Sequence, residues 1–177
     1  VIVAIAGPIG VGKSTVARQL AERLGVRVVS AGEVFRDLAR QRGLSVLELN
    51  RAAEDDPSLD REVDRLQAAL ARQGPCVVES RLSGWMVDAD LKVWLRAPLA
   101  VRAARVAQRD GLPLAAATAE LQSREASEWG RYRELYGIDV NDLSPYHLVV
   151  DTSVWSAETI VDALLLFIRG RQPAVRP

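Results

Sequence analysis

Gly7-Pro8-Ile9-Gly10-Val11-Gly12-Lys13-Ser14-Thr15 is preceded by Val1-Ile2-Val3-Ala4-Ile5-Ala6 and followed by Val16-Ala17-Arg18-Gln19-Leu20-Ala21-Glu22-Arg23-Leu24. The spacing G-x-x-x-x-G-K-[ST] is that of a phosphate-binding loop. The run before it is short, apolar and rich in β-branched residues, as a buried parallel strand is. The run after it has apolar residues at helical spacing and stops at Gly25, a suitable residue just past a helix end. Strand, loop and helix in this order are the context the motif requires, which a chance glycine-rich turn lacks. Glycines let successive N–H groups turn toward one anion, and the helix adds its positive end. In such a loop Lys13 reaches the β- and γ-phosphates and Ser14 offers a hydroxyl to Mg²⁺.

Only Lys13 and Lys92 among the 23 basic residues are lysine. An otherwise arginine-biased chain keeps lysine at the loop position, where a compact three-donor ammonium fits between phosphates and a planar guanidinium does not.

The 177 residues suit one domain, 1–177, with a core large enough to stand without staples. A formal net charge of zero gives no bulk electrostatic case for a nucleic-acid polymer as partner. The single cysteine, Cys76, excludes an internal disulfide and opens an apolar run, so a buried inert thiol is expected. The longest strongly apolar stretch, Ile160 to Ile168, contains Asp162 and is too short to span a bilayer. No signal-peptide pattern opens the sequence. A cytoplasmic protein with no membrane partner is expected, working as a monomer.

Strand-like segments alternate with helical ones, the pattern of an α/β fold with a parallel sheet. The expected strands are Val1–Ala6, Val26–Val29, Cys76–Glu79, Leu91–Leu95 and His147–Asp151. A polar helical stretch of over forty residues separates the second from the third. Within it, Ser45 with Glu48 forms a capping box, and Asp56-Pro57 is a cap with proline at the first helical position. Between the fourth and fifth strands come a helix, a break at Gly111–Pro113 and a long charged helix to Tyr136. Helices added on the carboxyl side of such a sheet sit where ligands bind. One excursion could hold a second substrate and the other close over it, which suits a small-molecule kinase that must exclude water.

Beyond the loop, the ordered landmarks resemble the nucleoside monophosphate kinases, most closely the archaeal-type cytidylate kinases. They are Val29-Ser30-Ala31-Gly32-Glu33-Val34-Phe35-Arg36, then Val78-Glu79-Ser80-Arg81-Leu82-Ser83-Gly84-Trp85, then Arg124-Glu125-Ala126-Ser127-Glu128 with Arg131-Tyr132 and Tyr136-Gly137-Ile138-Asp139, and last Asp151-Thr152-Ser153. Ser80 stands where related kinases commonly have glycine. The resemblance implies a three-layer P-loop NTPase fold on a five-stranded parallel sheet. It also implies a helical monophosphate-binding insertion over about residues 31–73 and a helical lid over about 110–140. The implied reaction moves the γ-phosphoryl of ATP to CMP or dCMP, with Mg²⁺ as cofactor and these nucleotides as the partners. AMP, UMP or shikimate remain open as acceptors, and a nucleotide-binding switch is the reading from another class.

In that reading Gly7 to Thr15 holds the ATP phosphates. Arg36 and Arg81, each just past a strand end, clamp the acceptor phosphate, where a bidentate guanidinium is the right tool. Arg105 and Arg109 share a helix face and border the ATP site, and Arg124 and Arg131, two turns apart, swing in with the lid. Solvated helix faces or surface salt bridges with Glu125, Glu128 or Glu134 are the plain alternative for these four. Ser30 and Gly32 in the first landmark, and Gly84 and Trp85 in the second, border the acceptor; Trp85 is placed equally well by stacking or by core packing. Glu79 or Asp37 orients metal-bound water, Glu79 being better placed at a strand end. An acceptor phosphate has a second pKa near ~6 and is mostly dianionic at neutral pH, so no general base is needed. Trp94 and His147 read as structural, Trp129 and Trp155 are undecided, and Asp151 is placed at the adenine edge. Asp60 and Asp64 share a helix face but are too few for a metal site.

Overall fold

The computed structural model describes residues 1–171, with all side chains except those of Val46, Leu47 and Asn50. The single-domain expectation therefore extends, at 172–177, outside the described residues. Five strands, β1 (Ile2–Ala6), β2 (Arg27–Ser30), β3 (Cys76–Ser80), β4 (Leu91–Arg96) and β5 (Leu148–Asp151), pair in the order β2-β3-β1-β4-β5. Every pairing is parallel, with Ile5 opposite Glu79 and Val93. The helices are α1 (Lys13–Leu24), α2 (Ala31–Gln41), α3 (Val46–Asp55), α4 (Ser58–Ala71), α5 (Ser83–Met86), α6 (Leu99–Asp110), α7 (Leu114–Tyr136) and α8 (Ala157–Arg169). This is the three-layer α/β architecture expected of a phosphate-loop protein.

The expected strands are present with no end moved by more than one residue. The fifth begins at Leu148 rather than His147, whose Nδ1 instead accepts from the Lys92 N–H at 3.1 Å. Helix α4 begins at Ser58 with Pro57 as its cap residue, one position later than the sequence suggests. The expected cap is nonetheless made: Asp56 is extended, Pro57 already has helical dihedrals, and the Asp56 carboxylate accepts from the Ser58 N–H at 3.0 Å. The capping box on α3 is present, with Ser45 and Glu48 each accepting the other's backbone N–H.

Alternation along the strands divides the sheet into two faces. Val3, Ile5, Val77, Val93 and Leu95 meet α1 and α8 through Val16, Leu20, Ile160 and Leu164. Leu20 is fully buried there; burying such a side chain contributes about 1.5–3 kcal/mol. Ala6 and Trp94 face the other way, against Leu82, Tyr132, Ile138 and Val140, and Trp94 stacks at a tilt on Tyr146 with centroids 5.3 Å apart. Cys76 is buried on that second face beside Val78 and Ala71, as an inert thiol would be. Helices α2, α3 and α4 share a cluster of their own around Val34, Leu38, Leu49, Leu59 and Val63. Helices α6 and α7 share another around Ala103, Val106, Ala117 and Leu121. Two small helical bodies thus stand on the carboxyl edge of the sheet, one on each side of the β1 end.

Candidate active site

All five strands run toward the same edge, and a cleft of about 930 Å³ opens there. Its near end is the loop between β1 and α1. Gly12 sits at φ 99° and Gly7 at φ 152°, conformations that side-chain-bearing residues rarely adopt. At Gly7 a Cβ would also stand 2.4 Å from the Leu95 carbonyl oxygen.

The loop's carbonyls are held by side chains. Lys13 Nζ donates to the Gly7 and Pro8 carbonyls at 2.9 and 2.8 Å. Arg102 Nη1 donates to the Ile9 carbonyl at 3.1 Å. The Val11 carbonyl accepts from Thr152 Oγ1 at 2.7 Å and from Arg105 Nη1 at 3.2 Å. In a trans peptide the N–H points opposite to the preceding C=O. Pinning the carbonyls of residues 9 and 11 to these braces therefore turns the N–H groups of Gly10 and Gly12 the opposite way. No side chain caps α1, so its first-turn N–H groups remain available to an anion.

Lys13 is buried. Burial, aided by the nearby Arg81 charge, holds its pKa well below the ordinary lysine value, against the pull of Glu79. Ser14 Oγ and Ser30 Oγ both donate to Glu79 Oε1, at 3.1 and 2.7 Å. A hydroxyl beside a buried carboxylate is an all-oxygen donor set of the kind Mg²⁺ takes. Among the described residues no group of three or more acidic, His or Cys side chains forms a metal cage. That suits an ion held largely by substrate phosphates and water. Asp37, the other carboxylate considered for this role, lies on the outer surface of α2 paired with Arg40.

Beyond the loop the cleft is also lined by Phe35, Arg36, Asp60, Val63, Asp64, Arg81, Leu82, Arg124, Glu128, Arg131 and Tyr132, which brings together four of the expected arginines. Arg81 Nε donates to Glu128 at 3.0 Å. Burial pulls the Arg81 pKa down, but Glu128, Tyr132 and Glu79 together outweigh it, and the net displacement is upward. Arg131 Nε donates to Asp60 at 2.7 Å, and Arg124 lies 3.9 Å from Glu120 on its own helix. Ser30 and Gly32 also line the cleft.

Other expected positions fall differently. Gly84 and Trp85 do not line the cleft. Tyr146 packs so closely on Gly84 that a Cβ there would stand 2.1 Å from the ring, and Trp85 joins the cluster around Leu82 and Trp94. Trp129 packs against the same cluster. Arg105 lines the cleft but also directs donors to Val11 and to Thr152, bracing the loop. Arg109 lines the cleft and is paired through two bonds with Asp110. Asp151 does not line it: its carboxylate accepts from Ser153 and pairs with Arg96. Trp155 does line the cleft, exposed, on the loop side.

Arg102 was missed in the sequence. It is buried, holds the Ile9 carbonyl, and pairs with Glu125 of α7. Its i,i+3 spacing from Arg105 on α6 was the available signal. Tyr136 was missed as well: its hydroxyl donates to Asp64 at 2.7 Å.

Comparisons with known proteins identify the family. Residues 2–154 match the model of the cytidylate kinase-like family. A cytidylate kinase of Pyrococcus horikoshii is 46% identical over 160 residues, covering 90% of this chain and 83% of that protein. One of Ignicoccus hospitalis is 48% identical over 165 residues, covering 92% and 96%. Among solved structures, a shikimate kinase of Bacteroides thetaiotaomicron superposes with a TM-score of 0.62 at 14% identity, covering 96% of this chain and 98% of that one, a likeness of fold alone. The chain belongs to the cytidylate kinase-like family.

Proposed function

We propose that this protein transfers the γ-phosphoryl group of ATP to CMP or dCMP, giving the diphosphate and ADP. One observation carries the reading: a single cleft is lined both by an anion-binding loop and by four arginines, Arg36, Arg81, Arg124 and Arg131, that lie outside that loop. A nucleotide switch has no second phosphate for Arg36, Arg81, Arg124 and Arg131 to meet.

The ATP phosphates lie against the N–H groups of Gly10, Gly12 and the first turn of α1, with Lys13 Nζ between the β- and γ-groups. Phosphate oxygens brought against Nζ oppose the downward pull on its pKa and keep it charged. Ser14 Oγ, and Glu79 through water, would hold Mg²⁺, which would supply charge neutralisation on the polyphosphate. Arg36 and Arg81 clamp the acceptor phosphate, and Arg124 and Arg131 add positive charge from α7. An acceptor phosphate oxygen, already ionised, attacks the γ-phosphorus; the bond to the β-bridging oxygen breaks and that oxygen leaves with ADP. Catalysis rests on alignment and charge, since the difficulty is bringing two polyanions into line. Residues 31–73 form the acceptor-holding excursion and 110–140 the lid, each with the small core described above. In this reading the enzyme works as a monomer in the cytoplasm; no helix among the described residues is long and apolar enough to cross a membrane.

The test is ADP release with ATP and Mg²⁺ in the presence of CMP, dCMP, UMP, AMP, GMP or shikimate. Stimulation by CMP and dCMP is expected. Stimulation by another acceptor keeps the mechanism and overturns the base assignment, and stimulation by none overturns both.

A further inference from the structure

Helix α4 presents two carboxylates to the cleft, Asp60 and Asp64, one helical turn apart. Their situations differ. Asp60 faces Arg131 at 2.7 Å and its charge is balanced. Asp64 has no cationic partner among the described residues. Its Oδ2 accepts from the Tyr136 hydroxyl at 2.7 Å, while its Oδ1 makes no hydrogen bond among the described residues. The cleft it lines also has Phe35, Val63, Leu82 and Tyr132 in its wall, two aromatic and two aliphatic side chains, and Tyr132 feels the Asp64 charge. A carboxylate in such a setting is costly unless something brings it a donor. Burial, with Asp60 adding to it and Tyr136 opposing, pushes its pKa up to about 6, so at neutral pH it is mostly the bare acceptor.

We propose that Asp64 reads the base of the acceptor nucleotide: its Oδ1 accepts a hydrogen bond from the exocyclic amino group of cytosine, and Tyr136 holds the carboxylate in position. This rests on the reading that the acceptor is CMP or dCMP. A flat ring fits between the aromatic and aliphatic walls. The amino group supplies the donor that Asp64 lacks, whereas uracil would set a carbonyl oxygen against the carboxylate, which repels it and leaves both groups desolvated. Asp64 is thus a specificity-determining residue on the acceptor side, while Asp60 remains the partner of Arg131.

The experiment pairs an enzyme change with a substrate change. In Asp64→Asn the Tyr136 hydroxyl keeps the amide oxygen, which turns the amide N–H₂ into the cleft as a donor for the uracil carbonyl. The ratio of kcat/KM for CMP over UMP is expected to fall by about 100-fold or more, partly through a gain for UMP. The second arm uses the monophosphate of the pyrimidin-2-one riboside, which lacks the amino group. Wild type is expected to lose at least about 10-fold in kcat/KM on this analogue relative to CMP, and Asp64→Asn to lose little. A CMP/UMP ratio unchanged in Asp64→Asn, with both substrates slowed equally, would mean that Asp64 only ties α4 to α7, and would overturn the proposal. If Asp64→Asn does not fold, Asp64→Ser is put through the same ratio, and indifference of wild type to the missing amino group overturns the proposal without any variant. Failure of the underlying reading looks different: wild type itself would then prefer neither CMP nor dCMP over UMP.

Discussion

Residues 7–15 and helix α7 face each other across one cleft and are held by different means. The loop is a backbone device. Left-handed glycines set its path, and its carbonyls are fastened by Lys13, Arg102, Arg105 and Thr152. Helix α7 is fastened by side-chain pairs that reach other elements: Glu125 to Arg102, Glu128 to Arg81, Arg131 to Asp60 and Tyr136 to Asp64. A backbone device needs few residue types at fixed spacing, so it can be recognised locally. A seam of pairs needs only charge complementarity across space, so its residues look like an ordinary charged helix until the fold brings the partners together.

Breaking each side in turn should give different phenotypes. The largest effect is expected from Lys13→Ala, which should lower kcat by ~10³-fold or more with an unchanged circular dichroism spectrum. Near-normal turnover would show that the loop is not the catalytic side of the comparison. Next, Glu128→Gln leaves Arg81 in a semi-buried position without its counter-charge. Such a loss costs about 3–5 kcal/mol when the pair is fully buried and less here, where the side chains are 23% and 15% exposed. A clear drop in urea midpoint together with slower turnover is expected, in contrast to the purely catalytic loss at Lys13. An unchanged midpoint would demote the seam from a fastening to a surface feature.

A smaller effect should come from Arg36→Lys. Losing a two-pronged contact with phosphate should raise KM for CMP by about 10-fold and leave KM for ATP nearly unchanged; equal rises would place Arg36 outside the acceptor end. The last expected effect concerns pH and Asp64, and touches stability rather than turnover. Its carboxyl titrates at about 6 in the fold against an ordinary value of 3.8. The folded state therefore binds the proton more readily than the unfolded chain. Its contribution to stability is greatest below pH ~4, falls as pH rises to ~6 and is level above, by about 3 kcal/mol in all. Denaturation at pH 4.5 and pH 7 should show this fall in wild type relative to Asp64→Asn. Parallel curves for the two proteins would mean that the carboxyl is not buried as the seam requires.

Particular residues show how far the sequence could be read. Gly7, Gly12 and Lys13 were legible because their function depends on φ angles and spacing fixed within nine residues. Arg36 and Arg81 were legible as strand-end arginines, and they do reach the cleft. Gly84 was read as an acceptor contact, but the reason for its missing side chain is Tyr146, sixty-two positions further along. Asp60 and Asp64 were seen to share a helix face and were set aside as too few for a metal; nothing local tells that the face meets Arg131 and Tyr136.

By itself, the sequence determined the order of strands and helices, the phosphate loop and the family. These depend on periodicity, turn residues and short spacings, which are local properties of the chain. The tertiary structure alone decided which charges become pairs, which arginines brace the loop rather than face a ligand, and which carboxylate stands uncompensated between apolar walls. The physical reason is that a charge acquires its role from what lies within a few ångströms. For Arg81 and Glu128, or Asp64 and Tyr136, those neighbours are 47 and 72 positions away in the chain.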